Sequence, residues 1–137
     1  MATPPRALIT APAAELLCTL TDRHGPLMLH QSGGCCDGSA PMCYPVGEFI
    51  VGDRDVLLAD LKGTPLWISE PQFQAWKHTQ VTIDVVPGRG SGFSLEAPEG
   101  LRFLSRGRAF TDAECAALDA APPITGAQYA AGIRVVP

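Results

Sequence analysis

Three of the five cysteines fall within nine residues, in the run His30-Gln-Ser-Gly-Gly-Cys35-Cys36-Asp37-Gly-Ser-Ala-Pro-Met42-Cys43. Thiolates are soft ligands for zinc, copper(I), iron and iron–sulfur clusters. Gly33 and Gly34 precede Cys35 and permit the positive φ and close backbone approach that a bound ion requires. Adjacent side chains diverge, so Cys35 or Cys36 together with Cys43 is the expected ligating pair. Asp37, His30 or His78 would add a ligand, or a homodimer would bring a second copy of the run. The spacing Cys-Cys-x6-Cys matches neither a zinc finger nor a ferredoxin run. A second reading is thiol redox chemistry, with a Cys35–Cys43 or Cys36–Cys43 disulfide. Structural packing of the thiols is the third.

Other chemistry-bearing residues are scattered. Cys18 and Cys115 fall in helical stretches and are expected to be small buried side chains. His30 in a strand reads as a packed or exposed histidine, raised as a ligand by its nearness to Cys35. His78, at the end of a short helix, reads as a surface residue facing the helix carbonyls. No sequence feature promotes a Cys–His nucleophilic pair with either histidine. Gly88-Arg-Gly-Ser-Gly92 lacks the Lys-Ser/Thr of a phosphate loop and reads as a hairpin turn. Arg102, Arg106 and Arg108 form a small basic cluster, either a solvated face or a surface for an acidic partner.

The chain that must position these residues has 137 residues, 46% hydrophobic and 18% charged, which suits one globular domain. Its formal net charge of −4 is not the footprint of a nucleic-acid binder. No apolar run approaches the roughly 20 residues that span a bilayer. No basic segment followed by an apolar stretch opens the sequence, so the cytoplasm is the expected compartment and reduced thiols the expected state. Five cysteines cannot all pair within one chain. Fourteen glycines and thirteen prolines point to many turns and short elements.

Residues 1–9 read as a loose arm. Thr10 and Pro12 open a helix over 11–23 with an apolar stripe at Leu16, Leu17 and Leu20. Gly25-Pro26 ends it, and Leu27–Gln31 reads as a strand that Gly33-Gly34 stops. Strands are predicted at Glu48–Val51, Val56–Leu61, Pro65–Ser69, Val81–Val86, Phe93–Leu95 and Leu101–Leu104, with a hairpin turn at Gly52–Asp55. A short helix after Ser69 carries Phe73 and Trp76. Thr111-Asp-Ala-Glu114 has capping-box spacing and opens a helix to about Ala120. The tail 121–137 is rich in Ala, Pro and Gly, and its end Gly132-Ile-Arg-Val-Val-Pro137 reads as disordered or as pairing with a sheet edge. The expected fold is a single α+β domain over 10–120, mostly antiparallel β with N- and C-terminal helices.

The run Leu29–Cys43 closely resembles the bacterial family known as domain of unknown function 779. Gly63-Thr-Pro-Leu-Trp-Ile-Ser69, the Trp76 region, Gly92-Phe-Ser-Leu-Glu96 and Arg102-Phe-Leu-Ser-Arg106 resemble it too, so the likeness covers roughly residues 10–118. Members are typically encoded beside NAD-dependent aldehyde dehydrogenases. The resemblance implies an accessory role with such an enzyme as partner, not dehydrogenase activity, since no dinucleotide fingerprint is present. The order of helix, strand, Gly-Gly-Cys run and hairpin strands is similar, more distantly, to HesB-like A-type iron–sulfur carriers. That likeness implies a HesB-like architecture. Only Cys35 or Cys36 matches a ligand position of those carriers. Their C-terminal Cys-Gly-Cys falls where this chain reads Leu104-Ser-Arg-Gly-Arg-Ala-Phe110, which leaves Cys43 as the substitute.

The leading expectation is an accessory or maturation protein, not expected to be an enzyme itself, that binds iron, zinc, copper or an iron–sulfur cluster through Cys35, Cys36 and Cys43, with His30 and Asp37 as further candidates. A thiol-redox protein cycling a disulfide among the three cysteines, and a non-catalytic module that steadies the dehydrogenase, are the alternatives.

Overall fold

The computed structural model describes residues 4–31, 41–47, 51–61, 63–88, 100–121 and 123–132. The elements run β1 (Ala7–Ile9), α1 (Ala11–His24), β2 (Leu27–Gln31), β3 (Met42–Pro45), β4 (Val56–Leu61), β5 (Thr64–Ile68), α2 (Glu70–Trp76), β6 (Thr79–Pro87), β7 (Leu101–Ala109), α3 (Asp112–Asp119) and α4 (Gly126–Ala130). The strands form two mixed sheets, ordered β1-β6-β7 and β3-β2-β5-β4. The β1–β6 and β2–β5 pairs are parallel, and β2–β3, β4–β5 and β6–β7 are antiparallel. The chain is thus a single α+β domain rich in antiparallel pairing. Among the described residues no helix is long and apolar enough to cross a membrane.

Helix α1 follows its local signals. The Thr10 hydroxyl caps it by accepting from the Ala13 N–H, and Pro12 stands in the first turn. Gly25 ends it at φ 81°, a conformation that favours glycine. Ala13, Leu16, Leu17 and Leu20 form the stripe that faces the core. The stripe packs with Leu29, Leu66 and Ile68 of one sheet and Val81, Ile83 and Phe103 of the other. Each large apolar side chain buried there contributes about 1.5–3 kcal/mol. A bulge between Leu57 and Ala59 shifts the register of β4 against β5, and Val56, Leu58 and Leu61 all reach this core. Leu57 instead joins Met28 and Trp67 in a second cluster, with Tyr44, Val51, Ile124 and Tyr129 packed on it. The outer face of the four-stranded sheet is therefore covered by the C-terminal segment, and Tyr129 meets Trp67 edge-on at 5.1 Å between ring centroids.

Both chain ends differ from the expectation. Residues 7–9, expected in a loose arm, form β1 and pair with Val81–Ile83 of β6. The Arg6 guanidinium holds that arm by donating to the carbonyls of Leu118 (3.0 Å) and Ala121 (2.9 Å). It also lies over the Phe73 ring at 5.4 Å. The tail carries no predicted element, yet part of it is helical; of the end expected to be disordered or to pair with a sheet edge, only Gly132 lies among the described residues. A second capping box, Thr125 with Gln128, opens α4. A bridge between Val56 and Thr125 and a bond from the Leu57 N–H to the Ile124 carbonyl fasten it. No strand is predicted at β3, whose first two residues, Met42 and Cys43, end the stretch read as a cysteine loop. The strand predicted at Glu48–Val51 reaches the described residues only at Val51, which is not in a strand. Phe93–Leu95 lies outside the described residues.

Gly126 starts α4 against Gly52, and a Cβ at position 126 would collide with the Gly52 carbonyl. Backbone there has no flexible end that could yield. Gly126→Ala is expected to destabilise the fold by about 1–3 kcal/mol and to loosen α4 from Trp67. Denaturant unfolding and a red shift of tryptophan emission would report both.

Candidate functional site

Strand β2 is the centre of the candidate site, because it leads into the cysteine run and every one of its residues is buried. It lies between β3 and β5, with His30 opposite Met42 on one side and Trp67 on the other. Alternation along a strand divides its side chains between two faces. Leu27 and Leu29 join the main core and Met28 the outer cluster. Gln31 follows Leu29 inward, and its Oε1 accepts from the Ser105 hydroxyl at 2.8 Å, a fully buried bond between the two sheets. His30 follows Met28 outward.

His30 is 4% exposed, and its Nε2 lies 3.1 Å from Oδ2 of Asp55, which is 17% exposed. Asp55 is held by the turn that precedes β4. Its Oδ2 also accepts from the Gly52 N–H at 3.0 Å. Its backbone N–H donates to the Gly52 carbonyl, and its carbonyl accepts from the Gly126 N–H at 2.7 Å. The turn Gly52–Asp55 was legible as a turn; its carboxylate as the partner of His30 was not. In a neutral ring, Nε2–H donating to the carboxylate leaves the lone pair on Nδ1. A carboxylate fixes ligating and proton-transferring histidines in this way.

Cys43 lies on β3 opposite Leu29 and shares the main core with it, at 0% exposure. The expectation of a loop thiol is corrected here: pairing with β2 draws Met42–Pro45 into the sheet, and the pleat turns Cys43 inward. Cys43 and His30 consequently occupy opposite faces of the sheet and do not converge. Cys35, Cys36 and Asp37 lie outside the described residues. Among the described residues no group of three or more His, Cys, Asp or Glu comes together.

The remaining cysteines are not buried packing residues. Cys18, which lies off the stripe of α1, is exposed, and Cys115 is only partly covered. Cys115 Sγ lies 3.6 Å from Nδ1 of His78, a pairing that no sequence spacing announced. Two of the three arginines of the basic cluster are paired within the molecule. Arg106 Nε donates to Asp84 at 2.9 Å, and Arg108 donates to both carboxylate oxygens of Glu114 at 3.1 Å. The bond from Arg106 is the chief cause of an Asp84 carboxyl held below the usual range; the Val85 N–H and the Thr10 hydroxyl act in the same direction. The Arg108 hydrogen bond, helped by the Thr111 N–H, holds the Glu114 carboxyl down to about 2.

The family pattern described as Domain of unknown function (DUF779) matches residues 16–109. The chain belongs to that family. The DUF779 region runs from within α1 to the end of β7, so it contains His30, Asp55, Cys43 and His78 but neither Cys115 nor α4. No curated protein and no solved structure matches the chain.

Two outcomes are expected from this geometry. Asp55→Ala removes the partner of a buried ring and should lower stability by about 1–3 kcal/mol, read by chemical denaturation. The Arg108–Glu114 pair has a depressed carboxyl, so its stabilising effect is fully present above the ordinary value of 4.5 and is lost as pH falls toward about 2. Amide exchange in the first turn of α3 should therefore rise over that window, and Arg108→Ala should move the rise to higher pH.

Proposed function

We propose that this DUF779 chain is a metal-binding accessory protein. A soft ion would be held at the end of β2 by His30 and by the thiolate of Cys35 or Cys36, with Asp37 as a further ligand. The observation that carries this reading is the buried His30–Asp55 pair at the root of the cysteine run. The donor set fits such an ion. An imidazole fixed by a carboxylate offers a ring nitrogen of defined direction, and thiolates complete a set suited to iron, zinc, copper(I) or a cluster. The ion is cargo on this reading, taken up and passed on, and a HesB-like relationship would place the chain among carriers of this kind. The partner implied by the family resemblance is an aldehyde dehydrogenase, and a homodimer would supply ligands from two copies.

Metal and sulfide analysis of anaerobically purified protein tests the reading. Bound metal is expected in the unaltered chain and is lost in Cys35→Ser/Cys36→Ser. Asp55→Asn should weaken affinity by about 10–100-fold through the orientation of His30, while Cys43→Ser leaves uptake intact. Absence of metal in every variant, with no uptake on addition of Fe(II), Zn(II) or Cu(I), overturns it.

A second reading is favoured by the burial of Cys43. A thiol enclosed on the inner face could close a disulfide with Cys35 or Cys36. In that case mild peroxide removes two daltons from the intact mass, Cys43→Ser abolishes the loss, and Asp55→Asn has no effect.

A further inference from the structure

Cys115 and His78 are 37 residues apart in sequence, yet the backbone fixes both. His78 precedes β6, and its carbonyl accepts from the Phe110 N–H at 2.8 Å, extending the β6–β7 ladder that ends with Thr79 opposite Ala109. Cys115 stands in the opening turns of α3, where its N–H donates to the Thr111 carbonyl at 2.9 Å. The Thr111–Glu114 capping box sets that turn, and the two bonds from Arg108 to Glu114 tie it to β7. Thiol and imidazole thus meet at 3.6 Å on elements that cannot drift apart independently.

Neither packing nor metal binding accounts for the pair. Cys115 is outside both apolar clusters. A structural ion takes about four ligands, and among the described residues no third ligand joins these two. Glu114, the nearest acid in sequence, is engaged by Arg108. A thiol within reach of a ring nitrogen is instead the arrangement used by nucleophilic sulfur: the imidazole takes the S–H proton as the sulfur attacks.

We propose that Cys115 and His78 form a thiol-exchange site that takes up small-molecule disulfides. Sγ of Cys115 attacks one sulfur of the disulfide RSSR, and the bond Cys115–S–SR forms as the S–S bond of RSSR breaks. The thiol proton passes to Nδ1 of His78 and then to the departing sulfur, which leaves as RSH. Cys115 is oxidised and the small disulfide is reduced, so no further oxidant enters. Cys43 is enclosed in the core and Cys18 lies on the exposed side of α1. The exchange as written leaves Cys115 as a mixed disulfide with the small thiol.

Cys18 provides the internal standard. It is the more exposed of the two, so accessibility alone predicts that it reacts first. The reduced full-length chain is incubated with glutathione disulfide at neutral pH, quenched at intervals and mapped peptide by peptide by mass spectrometry. Cys115 is expected to acquire the adduct about tenfold faster than Cys18. In His78→Gln its rate should fall to that of Cys18 or below, with an unchanged thermal midpoint. Slower labelling of Cys115 than of Cys18 in the unaltered chain overturns the proposal. An unaltered Cys115 rate in His78→Gln also overturns it. Should that variant fail to fold, the order of labelling in the unaltered chain decides the matter.

Discussion

The structure depends on a constraint imposed by β2: all five of its residues are buried, so both faces of one short strand must be covered. The inner face is covered by α1 and the three-stranded sheet, which together with β2 form the main core. The outer face is covered by Trp67, Leu57 and the C-terminal segment. Two of the five side chains, His30 and Gln31, are polar, and a polar group buried without a partner costs about 1–3 kcal/mol. Each is met by a residue from a distant element, Asp55 for the ring and Ser105 for the amide.

The same economy explains the chain ends. Arg6 satisfies carbonyls near the end of α3, and Thr10 reaches Asp84 on β6 while it caps α1. Asp84 then holds Arg106, and Arg108 holds Glu114 at the start of α3. Burial lowers the Arg6 guanidinium from its ordinary value, with Asp119 opposing that effect. Such a charge belongs to the structure rather than to a solvated arm. Two charges of the basic cluster read the same way: Arg108 closes the β7–α3 corner on Glu114 and Arg106 holds Asp84 on β6, so the acidic groups they meet are the chain's own.

What was legible in the sequence was what local chemistry decides. Thr10 and Pro12 opened α1, Thr111 and Glu114 opened α3, and Leu27–Gln31 and Val56–Leu61 appeared as strands with the observed bounds. What escaped was decided at long range. Ala7–Ile9 carries no strand signal of its own and becomes β1 only because β6 offers a parallel edge. Met42–Pro45 is four residues long and becomes β3 only beside β2. For the site, His30 stood out by its nearness to Cys35. Asp55 did not, because its role arises when the turn before β4 folds over the end of β2. Cys115 and His78 were each visible as a residue type, but only the β6–β7 ladder and the docking of α3 make them a pair.

The pleat of β2 and β3 turns the choice between the two chemical readings of the cysteine run into a question of sides. On the metal reading, an ion on the outer face meets the His30 ring, whose direction is set by a carboxylate that also accepts from the Gly52 N–H, on a residue whose backbone carbonyl accepts from Gly126 at the start of α4. A disulfide on the inner face meets Cys43, enclosed by apolar neighbours that exclude water and favour a neutral sulfur. The two faces offer different things: the outer one an imidazole of fixed direction, the inner one a sulfur shielded from water. Because adjacent side chains diverge, Cys35 and Cys36 cannot both serve one face equally well. The pair Asp55→Asn and Cys43→Ser therefore separates the readings by geometry, since each substitution alters one face and leaves the other as it was.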